Sequence, residues 1–294
     1  MRSLVWLVVC FGAGLSASAE DYLLHSFKTQ QLDIHFWSEG ATLGDFNRDG
    51  KMDVVSGPFW YAGPEFKQRH EIYEPKVSFV AKKADGSDVT IPGFEGALGV
   101  KNTYSDNFFA FTHDFNNDGW TDILIYGFPG QDASWYANPQ GKEGRWTRHK
   151  VFNAVDNESP TWGDITGDGK PEIICHSDGF LGYVTPDWAD TTKPWTFHKI
   201  TAKGPWQRFT HGLGFGDVNG DGRSDFLLGS GWWEQPESLV GDPEWKQHPA
   251  PFGNGAQMYV YDVNGDGLKD IVTGKRFWAH GPKGDAEPDA PAVV

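Results

Sequence analysis

The stretch Gly216-Asp217-Val218-Asn219-Gly220-Asp221-Gly222-Arg223-Ser224-Asp225 decides the reading of this chain. It contains the nine-residue pattern D-x-[NT]-x-D-G-x-x-[DE], and the same pattern begins again at Asp45, Asp114, Asp164 and Asp262. Successive copies start 45–69 residues apart, the spacing of a repeated supersecondary unit rather than of scattered turns.

The residue types within the copies point to a hard cation. First positions are Asp45, Asp114, Asp164, Asp217 and Asp262; third positions are Asn47, Asn116, Thr166, Asn219 and Asn264; fifth positions are Asp49, Asp118, Asp168, Asp221 and Asp266. All present side-chain oxygens to one side of a tight loop. Lys51, Trp120, Lys170, Arg223 and Leu268 follow at the seventh position, where a backbone carbonyl serves. Asp53, Asp122, Glu172, Asp225 and Asp270 close the loops with a carboxylate able to bind through both oxygens. Glycine at the sixth position permits the sharp turn. Calcium, which accepts several oxygen ligands in flexible geometry, suits such loops better than magnesium, which keeps its waters. The expectation is up to five Ca2+ ions. Without them, three carboxylates per loop repel one another. The loops are not EF-hands, because the twelfth position holds Ser56, Ile125, Cys175, Leu228 or Thr273 instead of glutamate.

What flanks the loops is β-structure. Short runs such as Ile123-Leu124-Ile125 and Phe226-Leu227-Leu228 follow them, with no amphipathic helical period nearby. An aromatic third segment comes next: Phe59-Trp60-Tyr61, Trp135-Tyr136, Tyr183, Trp232-Trp233 and Phe277-Trp278. A fourth segment pairs an aromatic with a histidine three residues on, in Trp146/His149, Trp195/His198 and Trp245/His248, and more loosely in Phe66 and His70. Four strands per unit predict an all-β chain, a β-propeller of four-stranded blades with five repeat units visible. The fifth unit lacks a fourth segment. His25-Ser26-Phe27-Lys28 resembles a displaced one and would close the ring by pairing the two ends.

Arg2, the apolar run Leu4–Leu15 and Ser16-Ala17-Ser18-Ala19 form an export signal, cleaved after Ala19. Residues 1–19 are therefore a signal peptide, and 20–294 a single propeller domain with an insert at about 75–104, in which Asp85-Gly86 marks a hairpin turn. The predicted location is secreted, periplasmic or at the cell envelope. Once the signal is cleaved, no segment is apolar enough to span a membrane. With 294 residues, 25 Lys+Arg, 40 Asp+Glu and a net charge of −15, the chain lacks the basic face that nucleic acid requires. After cleavage Cys175 is the only cysteine, so no internal disulfide forms.

The run from Gly216 to Asp225, followed by Leu227-Leu228-Gly229, resembles the FG-GAP/VCBS repeats of integrin-α-like propellers, and more distantly the propeller domain of aldos-2-ulose dehydratase. Such propellers are typically seven-bladed. The resemblance therefore adds a shortened seven-bladed relative as an alternative to a five-bladed ring. Thr166 and Glu172 depart from the Asn and Asp usual in these loops.

In a propeller the loops share one rim, and the residues that precede each first strand converge on the opposite mouth of the channel. Those residues are Glu39, Asp106, Asn107, Glu158, His211 and Gln257, with Arg208 and Tyr104 just upstream and His176 and Trp232 in the turns between second and third strands. Strand ends are polar for the plain reason that they meet water. As a set, however, these carboxylates, imidazoles and aromatics suit a polar ring compound, and His211 with Glu158 or Tyr104 has the chemistry for proton transfer. Three functions compete: a module that binds a glycan or an extracellular protein, a sugar dehydratase or polysaccharide lyase, and a purely structural scaffold. Asn157-Glu158-Ser159 also matches a glycosylation sequon.

Overall fold

Each acidic loop joins two antiparallel strands, because the β-branched and aromatic runs beside it bury on both faces. The computed structural model describes residues 26–92, 104–253 and 255–274. The signal segment, His25, and the fifth unit's third segment with Phe277 and Trp278 lie outside them. The described residues form nineteen strands and no helix, and none of them forms a helix long and apolar enough to cross a membrane.

The first unit is an antiparallel sheet of β1 (Ala41–Gly44), β2 (Asp53–Ser56), β3 (Phe59–Tyr61) and β4 (Arg69–Glu71), in chain order. The insert contributes a separate hairpin, β5 (Ser78–Lys82) and β6 (Asp88–Pro92), which turns at Asp85-Gly86 as expected. The second unit comprises β7 (Phe109–His113), β8 (Asp122–Tyr126), β9 (Gln131–Ala137) and the first half of β10 (Thr147–Gly163). The second half of β10 opens the third unit and continues into β11 (Glu172–Ser177), β12 (Phe180–Thr185) and β13 (Thr196–Lys199). Units two and three thus share one seven-stranded sheet. The fourth unit is β14 (Gly214–Gly216), β15 (Asp225–Leu228), β16 (Gly231–Glu234) and β17 (Lys246–Pro249). β18 (Met258–Tyr261) and β19 (Asp270–Val272) follow, and β18 pairs in parallel with β14.

Four four-stranded meanders are therefore formed, but two expectations are not met. Residues 26–31, which belong to a compact unit of their own (1–31), are exposed and form no strand, so the ring-closing strand at His25–Lys28 is absent over its described part. No strand of the first unit pairs with β18 or β19 among the described residues, and the five-bladed closed ring is not seen.

The core lies between successive units. Tyr136, Trp146 and Ile123 meet Phe46 and Val55 between the first and second units. Phe115, Leu124, Tyr126 and Trp135 meet Ile173, Cys175, Val184 and Trp195 between the second and third. Ile174, Leu181 and Tyr183 meet Phe226, Leu228 and Trp233 between the third and fourth. β8, β11 and β15 are buried along their whole length, and the outer β4 is exposed throughout. The recurrent tryptophans also stitch units through their backbone. Trp146 N–H donates to Ile72, Trp195 to Val151 and Trp245 to Ile200, at 2.7–2.9 Å, each time to the preceding unit. The recurrent histidines sit directly opposite third-strand aromatics: Trp60 and His70, Tyr183 and His198, and Trp232 and His248 stack, and Trp135 and His149 meet tilted at 30°, with centroids 4.0–4.9 Å apart.

Trp195→Ala removes a buried indole and should cost about 3–5 kcal/mol in urea unfolding. Phe27→Ala should change stability by no more than about 0.5 kcal/mol; a loss comparable to that of Trp195→Ala would show that residues 26–31 are part of the core.

Candidate functional site

The loop end is organised by hydrogen bonds that recur from copy to copy. The first-position carboxylate accepts backbone N–H groups across the turn: Asp217 Oδ1 from Gly220 and Asp221, and Oδ2 from Gly222, at 2.7–3.1 Å. The sixth-position glycines all hold φ near 80–87°, a conformation costly for any residue with a Cβ. Third- and fifth-position side chains touch, with Asn116 Nδ2 2.9 Å from Asp118, and Asn219 and Asn264 3.0 Å from Asp221 and Asp266.

The ninth-position carboxylate has a task that sequence reasoning missed. It turns inward and accepts the N–H of the second-position residue: Asp53 from Phe46, Asp122 from Phe115, Glu172 from Ile165, Asp225 from Val218 and Asp270 from Val263, at 2.9–3.1 Å. In three loops its other oxygen accepts an N–H from beyond the third strand, that of Gly63, Asn138 or Gln235, at 2.8–2.9 Å. The carbonyl of the same second-position residue accepts a side chain of the next unit: Phe46 from Asn138 Nδ2 (2.9 Å), Phe115 from Thr191 Oγ1 (2.9 Å) and Ile165 from Gln235 Nε2 (2.6 Å).

Burial pushes Asp122 up to about 7 and Glu172 up to about 8; backbone amides pull both down, and the acids at the first and fifth positions push both up. With the ninth residue so engaged, no group of three acid, histidine or cysteine side chains stands ready for a metal among the described residues. The remaining donors are two carboxylates, an amide or hydroxyl oxygen and a carbonyl. That all-oxygen set, crowded with like charge, fits calcium.

The opposite end gathers residues from several units. Ser105 donates through N–H (3.2 Å) and through its hydroxyl to Glu39. Glu158 Oε2 lies 2.7 Å from His211 Nε2, both side chains being largely buried. Arg208 Nε reaches Asp156 at 3.1 Å. Tyr104 stacks on Phe128 (4.5 Å), which also meets Phe209 (5.6 Å). β10 carries this end through a strained centre, where Ala154 (φ 77°) and Asn157 (φ 85°) lie within register shifts on either side of Asp156.

Several expected ligand residues are placed otherwise. His176 is fully buried, with Nδ1 unpartnered and Nε2 3.4 Å from Asn157, and cannot face a solvent-borne ligand. Asn107 is also buried and donates to the Gly57 carbonyl, so it joins the first two units. Trp232 belongs to the aromatic–histidine stacks. Tyr104, by contrast, stays accessible at this end, backed by Phe128 and Phe108. Gln257 is half-buried before β18. Asn157 is buried, which removes the sequon from use. Asp106 is joined by Tyr73 Oη and Lys76, both at 3.1 Å, and lines a cleft of about 700 Å³ between the first and second units. Sequence reasoning missed that cleft and its residues Tyr73, Asp132, Tyr136 and Arg148. The one signal for it was the turn Phe128–Gln131, which occupies the position of the other second-to-third-strand turns.

Residues 114–175, from the second loop through the third and into β11, match the FG-GAP-like repeat family. This confirms the resemblance over that segment. No curated protein matches the chain. Among solved structures, the Vibrio cholerae biofilm matrix protein Bap1 is 18% identical over 58% of this chain and 30% of its own, with a TM-score of 0.33. The Photorhabdus luminescens Tc holotoxin pore is 19% identical over 84% and 11%, with a TM-score of 0.40. Rhamnogalacturonan lyase YesW is 14% identical over 81% and 46%, with a TM-score of 0.41. The chain spans less than half the length of each.

In calcium-free buffer Asp225→Ala orphans the buried amide of Gln235 and the part-buried amide of Val218 and should cost about 2–4 kcal/mol in urea unfolding, more than Asp217→Ala on the exposed loop face. Equal losses would remove the stapling role. Burial lowers His176 to about 3, whereas an unfolded histidine binds its proton near about 6.5. Between those values only the unfolded chain takes the proton. Stability is then complete above the upper value and declines as pH falls toward the lower. His176→Gln should flatten that decline in urea titrations from pH 7 to 4; identical slopes would exclude His176 as its source.

Proposed function

We propose that this chain is an exported, calcium-binding β-propeller that acts as a glycan-binding module. The observation that carries the reading is the convergence of aromatics and paired polar groups at the end opposite the acidic loops: the exposed Tyr104 and Phe209, with the half-buried Phe128 between them, beside Asp106, Arg208 and Glu158. Aromatic faces take the C–H surface of a sugar while carboxylates and guanidinium groups take its hydroxyls. First-, third- and fifth-position side chains and the seventh-position carbonyl would hold calcium, which neutralises the loop and stabilises the native state. Successive units sharing faces, with first strands β10, β14 and β18 as neighbours, support propeller architecture. The apolar run before Ala19 supports export.

Adding calcium to protein stripped with EDTA should raise the melting temperature, because each site filled at about a hundredfold over its Kd adds about 2.7 kcal/mol. A melting curve unchanged from micromolar to millimolar calcium would refute the metal reading. A glycan array probed with and without calcium tests the binding function; an array with no bound glycan would refute it.

The 2.7 Å contact between His211 and Glu158 favours one second reading, a lyase or dehydratase in which the imidazole, oriented by the carboxylate, takes the proton from a sugar carbon, the C–O bond on the neighbouring carbon breaks as the double bond forms, and the departing oxygen takes a proton from water. Appearance of unsaturated product from polysaccharide, lost in His211→Ala with folding and binding intact, would establish it.

A further inference from the structure

We infer that the cleft between the first and second units is the sugar-binding site and that it selects an uncharged ring. The inference rests on the glycan-binding reading and specifies where and what that module binds. The cleft, about 700 Å³, falls within the range of small-molecule sites. Its inner wall is aromatic. Tyr73 and Tyr136 stack at 5.2 Å, and Trp146 lies beside them. Tyr104 lines the cleft as well, 44% exposed and backed by Phe128.

The polar lining is charged but balanced. Lys76 pairs with Asp106 at 3.1 Å, Arg148 with Asp132 at 2.6 Å and Arg145 with Glu74 at 3.2 Å (and, away from the lining, with Glu71 at 3.0 Å), and these six are the only charged residues that line the cleft among the described residues. Three acids thus face three cations. An anionic or cationic ligand meets no net attraction here and must break an existing pair to gain a counter-charge. A hydroxyl can donate to a carboxylate and accept from its cation without separating them, and neighbouring hydroxyls on a pyranose fit several such pairs. The aromatic wall supplies the apolar contact. Burial pushes the Asp132 carboxyl up, but Ser134 and Arg148 outweigh it and hold it below the usual range, so it remains an acceptor.

The test uses the full chain in calcium. Calorimetric titration with neutral methyl glycosides and their oligomers, taken from the glycans an array identifies, is compared with glucuronate, galacturonate and a sulfated sugar. Neutral sugars should bind at least about tenfold more tightly than acidic ones. Tyr104→Ala, an exposed change that leaves the fold intact, should weaken neutral binding by about tenfold. Asp132→Asn leaves Arg148 uncompensated and should shift the preference toward uronates by about tenfold. Preference of the unaltered protein for acidic sugars, or glycan binding undiminished in Tyr104→Ala, overturns the cleft assignment while the module reading stands. Absence of any glycan binding overturns that reading itself.

Discussion

In the first three acidic loops one residue is held through both its backbone N–H and its C=O, and the arrangement of the sheets depends on it. The second-position residue is buried and apolar in the first three loops: Phe46, Phe115 and Ile165. Its N–H is taken by the closing carboxylate of its own loop, and its C=O by a side-chain donor of the following unit. Left unmade, either bond would strand a polar group in the core at a cost of about 1–3 kcal/mol. The loop is therefore a joint between units as much as a turn within one. The interior clusters of Phe115, Trp135 and Trp195, or of Tyr183, Phe226 and Trp233, pack tightly because this joint sets the spacing of the sheets they fill.

The end remote from the loops follows the opposite logic. Its groups are polar, drawn from several units, and compensated pair by pair: Glu158 with His211, Asp156 with Arg208, Asp106 with Lys76. Rigid sheets hold these pairs, and exposed aromatic rings lie between them. The loop-end framework and this polar, paired end are thus separated along the strands.

Much of the framework was legible in sequence. The nine-residue repeat, the β-rich runs after it and the Asp85-Gly86 turn located strands correctly because each signal is local: a glycine demanded by backbone geometry, alternation in a short run, a turn dipeptide. The role of the closing residue was not legible. An aspartate at the ninth position looks the same whether it faces a cation or a buried amide, and only burial of the surrounding strands decides. His176 and Asn107 were misjudged for the same reason, since polarity in sequence suggests exposure and both are enclosed. The cleft residues Tyr73, Asp132 and Arg148 were unreadable because they come from three separate segments, brought together only when the first two units pack. The ring-closing strand failed for lack of any local signal beyond one aromatic residue, Phe27, which remains in water.

β10 runs seventeen residues through two repeats without leaving its sheet. No other described strand passes from one repeat into the next. Here the backbone ladder continues from β9 on one side to β11 on the other, so hydrogen exchange in one repeat reports on both. The middle of the molecule opens and closes as a double-sized cooperative block, and partial unfolding begins from the flanks. In a chain of repeats, that makes the central pair, rather than the single repeat, a smallest indivisible part.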